Sequence, residues 1–214
     1  MKLLAISDTH GDFSKISSIL GRAGKVDAIL VAGDITNFGP KEKAKELFDI
    51  MGNDQPVMAI PGNCDPKGVL DVIEKSGAVS IHNSSFKFGD TTFIGLGGSN
   101  PTPFSTPFEM SEDEIRGMLR RLLPPSQRDG RVVLVSHAPP KNSLDAIHGA
   151  HVGSEAIREI LSQVDLVVCG HIHEARGVVR SGNTTIMNPG QASRGLAAVV
   201  DIGAEIEVAF IDGE

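Results

Sequence analysis

Short runs of apolar and β-branched residues punctuate the first two-thirds of the chain, separated by stretches with helical periodicity. Leu3–Ser7, Ala28–Ala32, Val57–Ile60, Val132–Ser136 and Leu166–Cys169 are almost wholly apolar. That is the pattern of strands covered on both faces. The intervening Phe13–Ala23, Pro40–Met51, Pro66–Ser76, Ser111–Leu123 and Gly153–Gln163 read as helices. Asp65-Pro66 sets a capping carboxylate before a first-turn proline, and Ser111-x-x-Glu114 matches a capping box. Phe86–Phe88 and Thr92–Leu96 flank the hairpin signal Gly89-Asp90. Gly177–Val179, Thr184–Met187, Leu196–Val200 and Ile206–Phe210 make the C-terminal part rich in strands. The expected fold is an α/β one. βαβ units feed a mixed sheet, a second sheet packs against it, and helices lie outside, all within one domain over residues 1–214.

Composition narrows the function more than the fold. No apolar run approaches the roughly 20 residues a membrane span needs. Leu3–Ile6 is broken at once by Ser7-Asp8-Thr9-His10, so neither a secretory leader nor a membrane anchor is expected and the chain is assigned to the cytoplasm. Its two cysteines, Cys64 and Cys169, form no motif and no expected disulfide. Twenty basic against 27 acidic residues, with neither Trp nor Tyr, argue against a nucleic-acid-binding module.

Five of the strands end in polar residues that a buried strand does not require. They are Asp8-Thr9-His10, Gly33-Asp34, Pro61-Gly62-Asn63-Cys64-Asp65, His137 and Gly170-His171-Ile172-His173. In extended chain, residues i and i+2 point the same way, so Asp8/His10 and His171/His173 each aim two donors at one spot. Ligands of open α/β sheets gather beyond the carboxyl ends of the strands, where all five groups would meet. Carboxylate, imidazole and amide oxygens suit two divalent ions drawn from Mn, Fe, Zn, Ni and Co, with Mn placed first. Seven protein ligands exceed what one ion takes, and Asp34 is the natural shared ligand. Two such ions can activate a bridging hydroxide for in-line attack on a phosphoester.

In this order the five blocks resemble the signature of the calcineurin-like metallophosphoesterases, over residues 8 to 173. The resemblance implies a four-layer α/β/β/α sandwich of two mixed β-sheets flanked by helices. It also implies that Asp8, His10 and His173 hold one metal with bridging Asp34, while Asn63, His137 and His171 complete the second. The family block usually reads Gly-Asn-His, and Cys64 stands here where that histidine, a proton donor, is expected. A neutral thiol is a poor substitute. The Gly-Asn-Cys-Asp form resembles small phosphodiesterases of the family. A small phosphodiester such as a cyclic nucleotide is therefore the expected substrate, with catalytic roles for Asp34 and Asn63. The alternatives are a catalytically weak binding scaffold and a phosphomonoesterase. A homo-oligomer is compatible with the sequence.

Other residues have two readings. Gly97–Pro107 is either an inert loop or a flap, and with Lys141–Val152 it would set specificity. His148 and His151 are surface-loop residues, or one faces the substrate and partly replaces the missing acid. His151 is the choice because it adjoins a helix N-terminus. Asp65 is expected to cap the helix at Pro66, His82 to be solvated, Cys64 to be inert and Cys169 to be a buried apolar residue. Asn188-Pro189-Gly190 is either a tight turn or a neighbour of the metal site.

Overall fold

The computed structural model describes residues 1–123 and 130–213. In chain order the strands are β1 (Lys2–Ile6), β2 (Ala28–Ala32), β3 (Val57–Ile60), β4 (Val79–Ser80), β5 (Ser85–Phe88), β6 (Thr91–Leu96), β7 (Arg131–Ser136), β8 (Ala146–Ile147), β9 (Ala150–His151), β10 (Leu166–Val168), β11 (Gly177–Ser181), β12 (Thr184–Asn188), β13 (Ala197–Ile202) and β14 (Ile206–Ile211). The α-helices are α1 (Ile16–Ala23), α2 (Ala44–Met51), α3 (Val69–Lys75), α4 (Glu112–Leu122) and α5 (Glu155–Glu159).

One sheet has the order β14-β13-β1-β2-β3-β4 and the other β11-β12-β10-β7-β6-β5. Both are mixed. Parallel pairs occupy the centre, and antiparallel strands close the β13–β14 end of the first and both edges of the second. Successive side chains of a strand go to opposite faces. Leu3 therefore enters the core between the sheets with Leu30, Met58, Ile60, Phe93 and Val133. Its neighbour Leu4 packs outward with Ile6 and Ile29 against Ile16, Leu47 and Phe48 of α1 and α2. On the far side Ile94, Leu134 and Val167 meet Ile115, Leu119 and Ile157 of α4 and α5. The result is the expected four layers. The continuous apolar runs follow, since both faces of the central strands are covered. Each fully buried Leu or Ile contributes about 1.5–3 kcal/mol.

The Ser111 capping box is present: the Glu114 amide donates to Ser111 Oγ (3.3 Å) and the Ser111 amide to Glu114 Oε2 (2.8 Å). Several expected boundaries shift. Phe13 precedes its helix, which begins at Ile16, because the Asp12 carboxylate takes the Ser14 amide in a turn of its own. The helix expected from Pro66 begins at Val69, and Gly153–Gln163 resolves into α5 and a 3-10 turn at Leu161–Gln163. The small hairpin β8–β9 and strand β4 fall in segments too short to show a period. Among the described residues no helix is long and apolar enough to cross a membrane.

Candidate metal centre

The carboxyl ends of β1, β2, β3, β7 and β10 converge, and backbone hydrogen bonds lock them together. The Asp8 amide donates to the Gly33 carbonyl (3.0 Å) and the Gly170 amide to the His137 carbonyl (3.0 Å). Close approach is possible only because two positions lack a side chain. A Cβ at Gly62 would run into Asp34, and one at Gly170 into Ser7 and Asp8. Asp8, His10, Asp34 and His171 all have positive φ, a strained conformation for non-glycine residues that is typical of functional sites. Gly170→Ala should therefore lower the melting temperature by about 5 °C and weaken metal binding, because overpacking of this kind costs roughly 1–3 kcal/mol. Thermal melts of the metal-free and metal-loaded variant measure both effects. A variant that melts and binds metal like the wild type would show that the approach is not tight.

The donors form overlapping clusters. Asp8, His10 and His173 make one, Asp8, Asp34 and His137 another, and His10, Asp34 and Cys64 a third. His10 Nε2 lies 3.1 Å from His173 Nε2, and His173 Nε2 lies 3.4 Å from Asp8 Oδ1. Asp34 turns its two oxygens to two sides: Oδ2 is 3.8 Å from His10 Nε2, and Oδ1 is 3.3 Å from His137 Nε2. Asn63 Oδ1 stands 2.9 Å from the same His137 nitrogen. The His171 and His137 rings meet edge to face with centroids 5.1 Å apart, and the His171 backbone amide donates to the Asp8 carboxylate. Five of the seven sequence-predicted donors, Asp8, His10, Asp34, His137 and His173, thus share clusters. Asn63 reaches them through His137, and His171 adjoins them by its ring and amide without joining a cluster among the described residues. Buried carboxylates facing imidazole nitrogens and an amide oxygen are a donor set that fits divalent ions, with two carboxylate charges to balance the cations.

The supporting shell fixes each donor. His137 Nδ1 donates to the Ala32 carbonyl (2.8 Å), which turns Nε2 inward. Asn63 Nδ2 donates to Thr106 Oγ1 (3.1 Å), which leaves Oδ1 facing His137. Thr106 Oγ1 in turn donates to Glu109 Oε1 (2.7 Å). The Gly97–Pro107 loop is therefore attached to the centre through Asn63. His82 is half-buried, not solvated. Its Nδ1 accepts from the Gly97 amide (2.9 Å) at the base of that loop, and burial pushes its pKa down to about 4.

Asp65 is not a helix cap. Its buried carboxylate accepts the amides of Ile35 (3.0 Å), Thr36 (2.7 Å) and Gly62 (2.8 Å), stapling the Asp34 loop to the Asn63 loop. Burial and the nearby Asp34 charge raise its pKa to about 6. Asn188 is both turn and brace: its Oδ1 accepts the Gly190 amide, and its Nδ2 donates to the Ile172 carbonyl inside the His171–His173 segment.

The electrostatics are those of a cation site. Burial opposes ionisation of Asp34, but the neighbouring His137 charge wins and holds its pKa low. Burial likewise opposes a charge on His137, yet Asp34 and Asp8 raise its pKa to about 9. His171 goes the other way: burial, reinforced by His137, lowers it to about 4. His173 is raised, the Asp8 hydrogen bond overcoming burial.

The family model of the calcineurin-like phosphoesterases matches residues 1–175 of this chain. The chain belongs to that family. It is thereby a metal-dependent phosphoesterase, with the candidate ligand clusters such an enzyme requires. This phosphoesterase is 38% identical over 205 residues to the uncharacterized protein MJ1162 of Methanocaldococcus jannaschii, covering 90% of this chain and 89% of that one. Its fold is similar to that of TT1561 of Thermus thermophilus (TM-score 0.73, 18% identity, 97% of both chains). It is also similar to that of an archaeal phosphodiesterase (TM-score 0.57, 15% identity, 99% of this chain and 100% of that one).

His151 joins none of the clusters among the described residues. It ends the hairpin strand β9, and its Nδ1 meets Asp145 Oδ1 at 2.7 Å. Asp145 is buried and also accepts the amides of Asn142 and Gly153, both at 3.0 Å. The opposite strand β8 packs against the 3-10 turn His173–Ala175. Sequence reasoning passed over Asp145, and only its six-residue spacing from His151 could have drawn notice.

Proposed function

We propose that this phosphoesterase hydrolyses small phosphodiesters at a dinuclear centre. Asp8, His10 and His173 would hold one ion, Asn63, His137 and His171 the other, and Asp34 both. When bound, the two ions supply charge neutralisation for the phosphate oxygens and a water of lowered pKa, with Mn first among Mn, Fe, Ni, Co and Zn. The observation that carries the diester reading is Cys64. Its thiol lies in the His10–Asp34 cluster, half-buried, and burial together with the Asp34 charge pushes its pKa well above the ordinary range. A thiol held neutral there gives a dianionic monoester no cationic partner and the leaving oxygen no ready proton. The likeness in fold to an archaeal phosphodiesterase agrees with this reading.

The leaving-group proton then falls to His151. The buried Asp145 carboxylate holds its Nδ1–H, which leaves Nε2 as the ring nitrogen for a ligand. Asp145 acts as the positioning partner. Asn63 and Asp34 would act on the phosphate through the ions they would hold.

The test compares bis(p-nitrophenyl) phosphate with p-nitrophenyl phosphate, on chelated protein and on protein resupplied with Mn, Fe, Ni, Co or Zn. Metal-restored diesterase activity well above monoesterase activity is expected. Comparable monoesterase activity would refute the reading of Cys64, and no turnover with both ions bound would leave a binding scaffold. His151→Asn should slow an alkyl diester by about 100-fold, the low end of general-acid contributions, and leave a p-nitrophenyl diester within about threefold. Equal losses on both substrates would remove His151 from proton transfer.

A further inference from the structure

Of nine phenylalanines, two are exposed: Phe38 at 60% and Phe104 at 80%. Isolated exposed apolar side chains are ordinary. These two, however, lie on segments that are each hydrogen-bonded to one loop of the metal centre. The Phe38 amide donates to the Cys64 carbonyl (3.0 Å). Phe104 stands on the loop whose Thr106 accepts the Asn63 amide (3.1 Å), and the Phe108 amide donates to the Asn63 carbonyl (3.0 Å). The two segments that carry these solvent-facing rings are thus both hydrogen-bonded to the Asn63–Cys64 turn.

Both rings are displayed by ordered backbone. Phe38 has φ of 60°, an outlier for a bulky residue, two positions after Thr36, whose amide and hydroxyl are tied to Asp65. The Phe104 amide donates to Thr102 Oγ1 (3.2 Å), and the following Ser105 also has positive φ. Thr102 and Thr106 are both held by Glu109, whose carboxyl those hydrogen bonds keep low, at about 2, against burial. Strain and hydrogen bonds are thus committed to presenting phenyl faces to solvent at the rim of a phosphate site.

We propose that Phe38 and Phe104 form a stacking clamp for the planar base of a nucleoside phosphodiester whose phosphate lies at the metal centre. The proposal rests on the diesterase reading and names its substrate class. A base offers an apolar face of ring size and needs no hydrogen-bond partner to be held. With no Trp or Tyr in the chain, phenylalanine is the residue left for that task. The net charge of −7 favours a small nucleotide over a long polynucleotide.

The experiment uses Mn-loaded full-length protein. Calorimetric titrations with adenosine monophosphate and with inorganic phosphate give an affinity ratio. Rates on a cyclic nucleotide and on glycerophosphoethanolamine give a selectivity ratio. Phe38→Ala and Phe104→Ala should each lower both ratios by about tenfold, the second through KM, whereas Phe38→Trp should preserve them. Ratios indifferent to either alanine would overturn the clamp while leaving the diesterase standing. A wild type that binds adenosine monophosphate no better than phosphate would also overturn it, as would alanine variants that only dissociate a dimer. Phe-dependent binding in a protein that cleaves neither diester would keep the clamp and remove the diesterase.

Discussion

Replacing Asp34 by asparagine is expected to cut metal-supported hydrolysis by at least about 10³-fold while leaving the metal-free fold intact. Asp34 alone turns one oxygen toward His10 and the other toward His137. Asparagine keeps the shape and an acceptor for the Cys64 amide, which donates to Asp34 Oδ1 at 2.8 Å. It removes the charge and points N–H groups at one set of donors. Metal ions supply several kcal/mol of charge stabilisation, and about 4 kcal/mol corresponds to a factor of roughly 10³. Metal content by elemental analysis should fall with the rate, while the melting temperature of the metal-free protein stays within about 4 °C. A variant that keeps its metals and loses less than tenfold in rate would remove Asp34 from the shared position. Collapse of the fold would mean that its charge, paired with His137, holds the metal-free protein together.

That the metal centre can be read in sequence at all follows from how the chain makes it. Each donor sits just past a strand buried on both faces, so polar residues such as Asp8, Asp34 and His137 interrupt apolar runs and stand out. The same reasoning fails where structure joins loops distant in sequence. Asp65 has the local pattern of a helix cap, and its staple to Ile35 and Thr36 spans about thirty residues with no periodic trace. His82 is coupled to Gly97 across a sheet edge, and burial at such a site has no composition signal. The β8–β9 hairpin is built from two-residue strands, too short for any periodicity, so the Asp145–His151 pair could not be seen. The exposure of Phe38 and Phe104 was equally hidden. A phenylalanine in a loop reads the same whether it packs inward or faces solvent, and the positive φ of Phe38 is a property of the folded loop.

Metal affinity is expected to rise about tenfold per pH unit across the neutral range and to level off near pH 9. The cause is the proton on His137. In the metal-free protein its pKa is raised to about 9, and with both ring nitrogens protonated it donates to the Ala32 carbonyl and faces the Asn63 and Asp34 oxygens. The proton there balances the charge that an ion would balance, so an ion must displace it. One proton leaves per ion bound at that position, which sets the slope. His171, lowered to about 4 by burial and the His137 charge, is already neutral and adds no slope above pH 5. His173, raised by Asp8, steepens the lower part of the curve. The sign reverses for the stability of the metal-free protein. A folded-state pKa above the unfolded value of about 6.5 gives stability that is complete below that pH and lost as pH rises through about 9. Loaded and metal-free protein should therefore diverge in melting temperature as pH climbs from 6.5 to 9, the second losing while the first holds steady, because neither its metal-bound nor its unfolded His137 carries that proton. Calorimetry in buffers of different ionisation enthalpy counts the released protons directly. A count near zero at pH 7, or an affinity flat from pH 6 to 8, would show that His137 is not a ligand.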